Sequence, residues 1–143
     1  MQYSSKHFGQ TQATLAVDLP ERLIHRGVET AAPDDRFSEQ RRHPVHIVDL
    51  PTRILSMTIG GLAPGQSTNK HRHTYETVIY VLEGEGFTVI QDRKVEWRAG
   101  DAIYVPVWAW HHHTCTSAGP CRYVACESAP ILQNLGVALR EEA

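Results

Sequence analysis

From Val45 onward the chain alternates short apolar runs with Gly, Pro and Asp at intervals of roughly ten residues, the rhythm of an all-β sandwich or barrel. The runs predict strands at 45–48, 52–59, 67–73, 77–82, 86–91, 94–97, 102–105, 111–115 and 122–128. Between them, Ala63-Pro64-Gly65, Glu83-Gly84-Glu85-Gly86, Gln91-Asp92-Arg93 and Arg98-Ala99-Gly100-Asp101 supply residues that tolerate positive φ or preset a bend. Residues 1–45 lack this rhythm. They are polar, and Asp18-Leu19-Pro20-Glu21 is a capping-box pattern with Pro in the first turn, predicting a short helix that runs to Gly27. Ala32-Pro33-Asp34-Asp35 reads as a turn, and Arg41-Arg42-His43-Pro44 as extended chain, because the residue before Pro avoids the α region. Residues 131–139 are read as a last short helix. The expected organisation is an N-terminal arm (1–45), one barrel (46–130) and a C-terminal tail (131–143), with no internal repeat.

At 143 residues the chain has the length of one domain, and 41% hydrophobic with 21% charged residues is a globular composition. Fourteen Lys and Arg against sixteen Asp and Glu leave a formal charge of -2 with no basic block, which argues against nucleic acid or an anionic membrane surface as partner. The opening Met1-Gln2-Tyr3-Ser4-Ser5-Lys6 lacks an apolar signal-peptide core, and no run approaches the roughly eighteen apolar residues of a membrane span. A cytoplasmic location is therefore expected. Cys115, Cys121 and Cys126 are odd in number and lack C-x-x-C spacing, so reduced thiols are expected.

Nine histidines change the picture, since a neutral imidazole is the commonest transition-metal ligand. In Gly65-x5-His71-x-His73 the two histidines are two apart, so on a strand they share one face while Arg72 takes the other. A lone H-x-H pair is commonly surface decoration. Here Gly100-x5-Pro106-x4-His111 adds a third histidine just after a turn, on a strand able to pair back toward the first two. Three neutral donors leave open positions on an octahedral ion, the arrangement that oxygen-using non-heme iron needs; Fe(II) is favoured, with Ni, Zn, Mn or Cu as alternatives.

Residues 65–84 and 100–115 resemble the two motifs of the cupin superfamily, G-x5-H-x-H-x3,4-E-x6-G and G-x5-P-x-G-x2-H-x3-N. The resemblance spans roughly residues 52–128 and implies a jelly-roll β-barrel with His71, His73 and His111 as metal ligands. It also implies a homodimer, since cupins often exchange N-terminal arms. Three positions depart from the motifs: Thr77 stands where a carboxylate ligand is expected, Trp108 replaces a glycine and Cys115 an asparagine. Glu76 is one position away, and alternation turns it from the histidine face, so it is expected outside the metal's ligand set.

His71-Arg72-His73-Thr74, Leu82-Glu83-Gly84-Glu85-Gly86 and the run from Val105 through Pro106, Trp108, Trp110 and His111 to His113 are similar to strings of the gentisate and hydroxynaphthoate 1,2-dioxygenases. That likeness implies three histidines and no glutamate. Those enzymes are usually two-barrel chains, and they hold the substrate carboxylate with an arginine six residues after the second histidine. Ile79 occupies that position here, so gentisate is expected to be a poor substrate unless Arg53 or Arg93 replaces the charge. His113, on the His111 face, is a catalytic or substrate-assisting candidate; a core histidine bonded to a carbonyl is the other reading. His112 should point outward. Tyr75, Thr77, Trp108 and Trp110 are candidate substrate contacts, and with Phe87 the aromatic residues either wall a pocket or simply pack. His7, His25, His43 and His46 are expected in solvent.

Three functions follow for a small-molecule substrate. The first is an Fe(II) dioxygenase cleaving a C–C bond of a chelating aromatic acid or dicarbonyl, because three neutral ligands leave the full +2 charge to attract a bidentate anion. The second is an isomerase or lyase that uses Zn or Ni as a Lewis acid. The third is a non-catalytic ligand-binding cupin.

Overall fold

The protein is described by a computed structural model covering residues 5–7, 9, 17, 19–29 and 35–143. After a 3₁₀ turn at Ser5–His7 and helix α1 (Asp35–Arg41) come β1 (Val45–Val48), β2 (Ser56–Leu62), β3 (His71–His73), β4 (Thr77–Glu83), β5 (Glu85–Ile90), β6 (Arg93–Arg98), β7 (Ala102–Val105), β8 (His111–Cys115) and β9 (Cys121–Glu127). Helix α2 (Ala129–Asn134) and strand β10 (Arg140–Glu142) follow. Among the described residues the strands form two antiparallel sheets, ordered β1-β2-β9-β4-β7 and β10-β3-β8-β5-β6. The all-β jelly roll expected from the sequence is the fold found.

Alternation decides which side chains enter the barrel. On β4, Thr77, Ile79 and Val81 point inward while Val78 and Tyr80 remain about half exposed. Ile79 and Val81 join Leu62, Trp97, Ile103 and Val105 in a core that closes one end of the barrel. Gly86 lets β5 cross beneath Trp97, for a Cβ there would fall 2.0 Å from the Thr114 carbonyl oxygen and 2.6 Å from the indole. The other end of the barrel holds the histidines.

Several local expectations are corrected. Asp18 lies outside the described residues, and 19–27 form no helix. Leu19, Leu23 and Ile24 are 72%, 70% and 61% exposed, so a helix there would have no surface on which to bury its apolar face. Of the predicted turn, 32–34 also lie outside the described residues, while Asp35 opens α1. That helix continues through Arg41 and stops at Arg42, whose φ is 57°. The tail divides into α2 and β10 instead of one helix, with Gly136 (φ 73°) turning between them. Cys115 and Cys121 are joined as a disulfide across the β8–β9 turn, with Cα atoms 5.9 Å apart, leaving Cys126 as the free thiol. The odd count concealed a pair that only the hairpin brings together. No helix among the described residues is long and apolar enough to cross a membrane.

Candidate metal centre

His71 and His73 project from the inner face of β3, and the register sets His71 opposite His111 on β8. The ring centroids of His71 and His111 are 4.2 Å apart, those of His73 and His111 4.9 Å, and one ligand atom from each of the three lies within 4.8 Å of the others. Each Nδ1 meets a backbone carbonyl: His71 that of Asn69 at 2.7 Å, His73 that of Tyr75 at 2.7 Å, and His111 that of Ala109 at 2.8 Å. A carbonyl only accepts, so each Nδ1 carries the proton and each Nε2 keeps a lone pair. Three oriented Nε2 donors without a counter-charge suit a divalent transition metal of the imidazole-binding kind.

Electrostatics keep these rings neutral. Burial lowers the His71 pKa to about 2, with the Arg140 charge next in importance. Burial lowers His73 to about 4 against the opposing Tyr75 hydrogen bond, and it lowers His111 as well. Neutral imidazole is the form that binds metal. Tyr75 lies flat on His73, with centroids 4.0 Å apart and planes 3° from parallel, so it props a histidine from behind.

Residues 59–126 match the Cupin domain family model. Their fold is that of a cupin barrel. Over 94 residues the chain is 37% identical to 5-aminosalicylate 1,2-dioxygenase of Comamonas, a match covering 66% of this chain and 24% of that enzyme. It is 31% identical over 85 residues to gentisate 1,2-dioxygenase of Streptomyces, covering 59% of this chain and 24% of that one. The chain thus spans about a quarter of the length of these curated relatives. Dimethylsulfoniopropionate lyase DddW of Ruegeria pomeroyi is 34% identical over 88 residues, 61% of this chain and 56% of the lyase. A salicylate 1,2-dioxygenase from Pseudaminobacter salicylatoxidans superposes with a TM-score of 0.66 at 21% identity, over 70% of this chain and 30% of that one, a likeness of fold.

The cupin barrel distributes the remaining candidates unevenly. Thr77 and His113 line the cavity that holds the three histidines. Trp97 Nε1 donates to Thr88 Oγ1 at 2.9 Å, and that hydroxyl lies 2.7 Å from His113 Nδ1. The indole can only donate, and among the described residues His113 Nδ1 is the one acceptor within reach of the fully buried Thr88 hydroxyl's own proton, so the hydroxyl donates to His113, whose proton then resides on Nε2. His113 is therefore the reverse tautomer of the three facing rings, offering a donor where they offer lone pairs. Burial lowers its pKa to about 3.

Trp108 and Trp110 lie elsewhere. They stack on Arg72, whose guanidinium is 4.2 Å from one ring centroid and 4.6 Å from the other, and neither lines the histidine cavity. Arg72 alternates away from His71 and His73, so the tryptophans it holds belong to the outer face. Trp108 meets the motif's glycine requirement by adopting a φ of 62°, its N–H donating to the His73 carbonyl at 2.8 Å. His112 sits near Phe87 on the outer side of β8 and β5, with Lys94 over the phenyl ring. Glu76 is exposed and accepts a hydrogen bond from Tyr104 at 2.8 Å, away from the histidines.

Other side chains in the cavity gave no local sequence signal. His43, expected in solvent, is buried; its Nδ1 donates to the Arg41 carbonyl at 2.8 Å and its Nε2 accepts from Tyr123 at 2.8 Å. Arg41 and Arg140 line the cavity, Arg140 standing across from His73 in the β10–β3 ladder. Arg93 lines a different cavity, and Arg53 is absent from the histidine cavity's wall. Glu127, at the end of β9, also faces in, and Thr77 Oγ1 donates to its Oε1 at 3.3 Å. These residues come from α1, the α1–β1 loop, β9 and β10. No spacing rule connects those segments, although Arg41 and Arg140 stand beside predicted elements and Glu127 near the end of one.

Proposed function

We propose that His71, His73 and His111 hold one divalent transition metal, Fe(II) by preference, and that the centre cleaves a C–C bond of a chelating aromatic acid or β-dicarbonyl with dioxygen. The observation that carries this reading is the matched tautomers: three Nδ1–H groups tied to carbonyls, three Nε2 lone pairs converging, and no carboxylate among them. Bound there, the metal supplies open coordination positions and a full +2 charge for a bidentate anion. The chain's residues do the rest. Arg41 and Arg140 place positive charge beside the centre and favour an anionic substrate; Arg140 thereby supplies from β10 what Ile79 does not on β4, which removes the ground for excluding gentisate. His113 presents its Nε2–H as a hydrogen-bond donor to a substrate or oxygen atom near His111.

The cavity measures about 40 Å³, room for an ion and small ligands, so an aromatic ring must displace the Arg41 or Arg140 side chain on entry. The test is metal analysis of freshly purified protein, followed by oxygen-electrode assays with Fe(II) across catechols, salicylates, gentisate, hydroxynaphthoates and diketones. Uptake that requires two chelating oxygens, and fails with mono-oxygen analogues, supports the proposal. The match to the lyase DddW favours a second reading, elimination or isomerisation without oxygen. Anaerobic turnover with Zn or Ni and no oxygen uptake would transfer the assignment to it. A homodimer remains our reading of the assembly, supported by the apolar outer face on which Val78, Tyr80 and Tyr104 are about half exposed.

A further inference from the structure

A carboxylate turned into a barrel interior, away from bulk water, is costly unless something uses it. Glu127 is such a group. It ends β9 in register with Thr77 of β4, and both side chains face the cavity of the three histidines. Thr77 stands where the cupin motif puts a carboxylate, and its hydroxyl donates to Glu127 Oε1 at 3.3 Å. The carboxylate missing from β4 is thus present one strand over, set back from the metal ligands and held by the residue that replaced it. It is not one of the atoms that converge within 4.8 Å.

We propose that Glu127 is a proton acceptor for ligands of this centre, an inference that rests on the metal-dependent reading above. When a chelating hydroxyl enters, its O–H bond breaks, the proton moves to a Glu127 carboxylate oxygen, and the ligand remains as an oxyanion. Nothing is oxidised or reduced, and the total charge in the cavity is unchanged, so no ion has to leave for bulk water. The surroundings suit this task. Burial raises the Glu127 pKa, while Arg41 from α1, Arg140 from β10 and the Thr77 hydrogen bond oppose the rise. Burial, with a smaller contribution from Glu127, raises the pKa of Tyr75 and Tyr123, so neither phenol competes with Glu127 as a base. Its raised pKa makes it a stronger base than an exposed glutamate.

The probe is acetohydroxamic acid, a compact bidentate chelator that loses one proton on coordination, added to zinc-reconstituted protein so that no redox step intervenes. Calorimetry near pH 8 in buffers of different ionisation enthalpy counts the protons exchanged. Wild-type protein should keep the proton, and Glu127→Gln should release about one proton per ligand bound. A second measurement needs no variant: in the wild type, an infrared band of a neutral carboxyl should appear with acetohydroxamic acid and not with acetamide. Equal proton release in both proteins, or absence of that band, overturns the assignment of Glu127 while leaving the metal centre standing. Failure of the probe to bind zinc-loaded protein at all overturns the metal-centre reading, and this inference with it.

Discussion

Thr88 Oγ1 lies 2.7 Å from His113 Nδ1, and this hydroxyl fixes which nitrogen of His113 faces the cavity. Thr88→Val would leave both His113 Nδ1 and the Trp97 indole N–H without their partner in a dry part of the barrel. The expected loss is about 1–3 kcal/mol, measurable by denaturant titration. Nitrogen chemical shifts of His113 should also show the ring released from its single tautomer. An unchanged tautomer would mean that the orientation is set elsewhere.

His71→Ala, His73→Ala and His111→Ala should each abolish stoichiometric metal binding, and His112→Ala, on the outer side of β8, should not. Metal analysis after reconstitution checks this. Metal at a hundredfold excess over its dissociation constant should stabilise the wild type by about 2.7 kcal/mol, a shift in thermal midpoint that the three alanine variants lack.

Stability should fall in acid over a defined window. His71, His73 and His113 have folded-state pKa values lowered from 6.5 to about 2, 4 and 3. Below pH 6.5 the unfolded chain takes up protons that the folded chain refuses, so unfolding is favoured as pH drops. The stability these neutral rings permit is complete above 6.5 and is lost progressively down to their folded values, at about 1.4 kcal/mol per pH unit for each ring. Thermal midpoints of metal-free protein at pH 8, 7 and 5 should be nearly level over the first interval and drop steeply over the second. Unperturbed imidazoles would begin to lose metal below about pH 6; burial moves that onset lower as long as the fold survives.

Glu76→Gln should bind metal as the wild type does, because Glu76 is engaged by Tyr104 on the outside. A metal-bound structure with a Glu76 oxygen within about 2.5 Å of the ion would contradict this.

Arg140→Ala should raise KM for carboxylate-bearing substrates by about ten- to a hundredfold, the worth of one charge-assisted hydrogen bond, with a smaller effect on uncharged diketones. Equal effects on both would assign Arg140 to supporting Tyr75 and Glu142 instead of the substrate.

Period-two patterning gave away the strands because each has one dry face, and the H-x-H pair was readable because both histidines share a single strand. The third histidine of the cluster was readable because a turn motif precedes it. What stayed hidden depends on pairing between distant segments. His43 looked solvated until Tyr123 met it 80 residues along, and Glu127 acquired its meaning from Thr77, 50 residues back. Trp108 and Trp110 lie close to a ligand in sequence, yet Arg72 draws them to the opposite face. Asp18-Leu19-Pro20-Glu21 carried a sound start signal for a helix that had nothing to pack against.

The β10–β3 ladder has a consequence for the order in which the centre comes into being. Arg72 and Glu141, which pair across it, are 69 residues apart, and every strand from β4 to β9 lies between them. The β3–β8 pairing that sets His71 against His111 closes a shorter loop than the β10–β3 pairing that seats Arg140 beside His73. Loop-closure entropy therefore favours the histidine pairing first and the charged wall second. The three imidazoles are gathered by the shorter-range contact, and the cationic edge beside them by the longer.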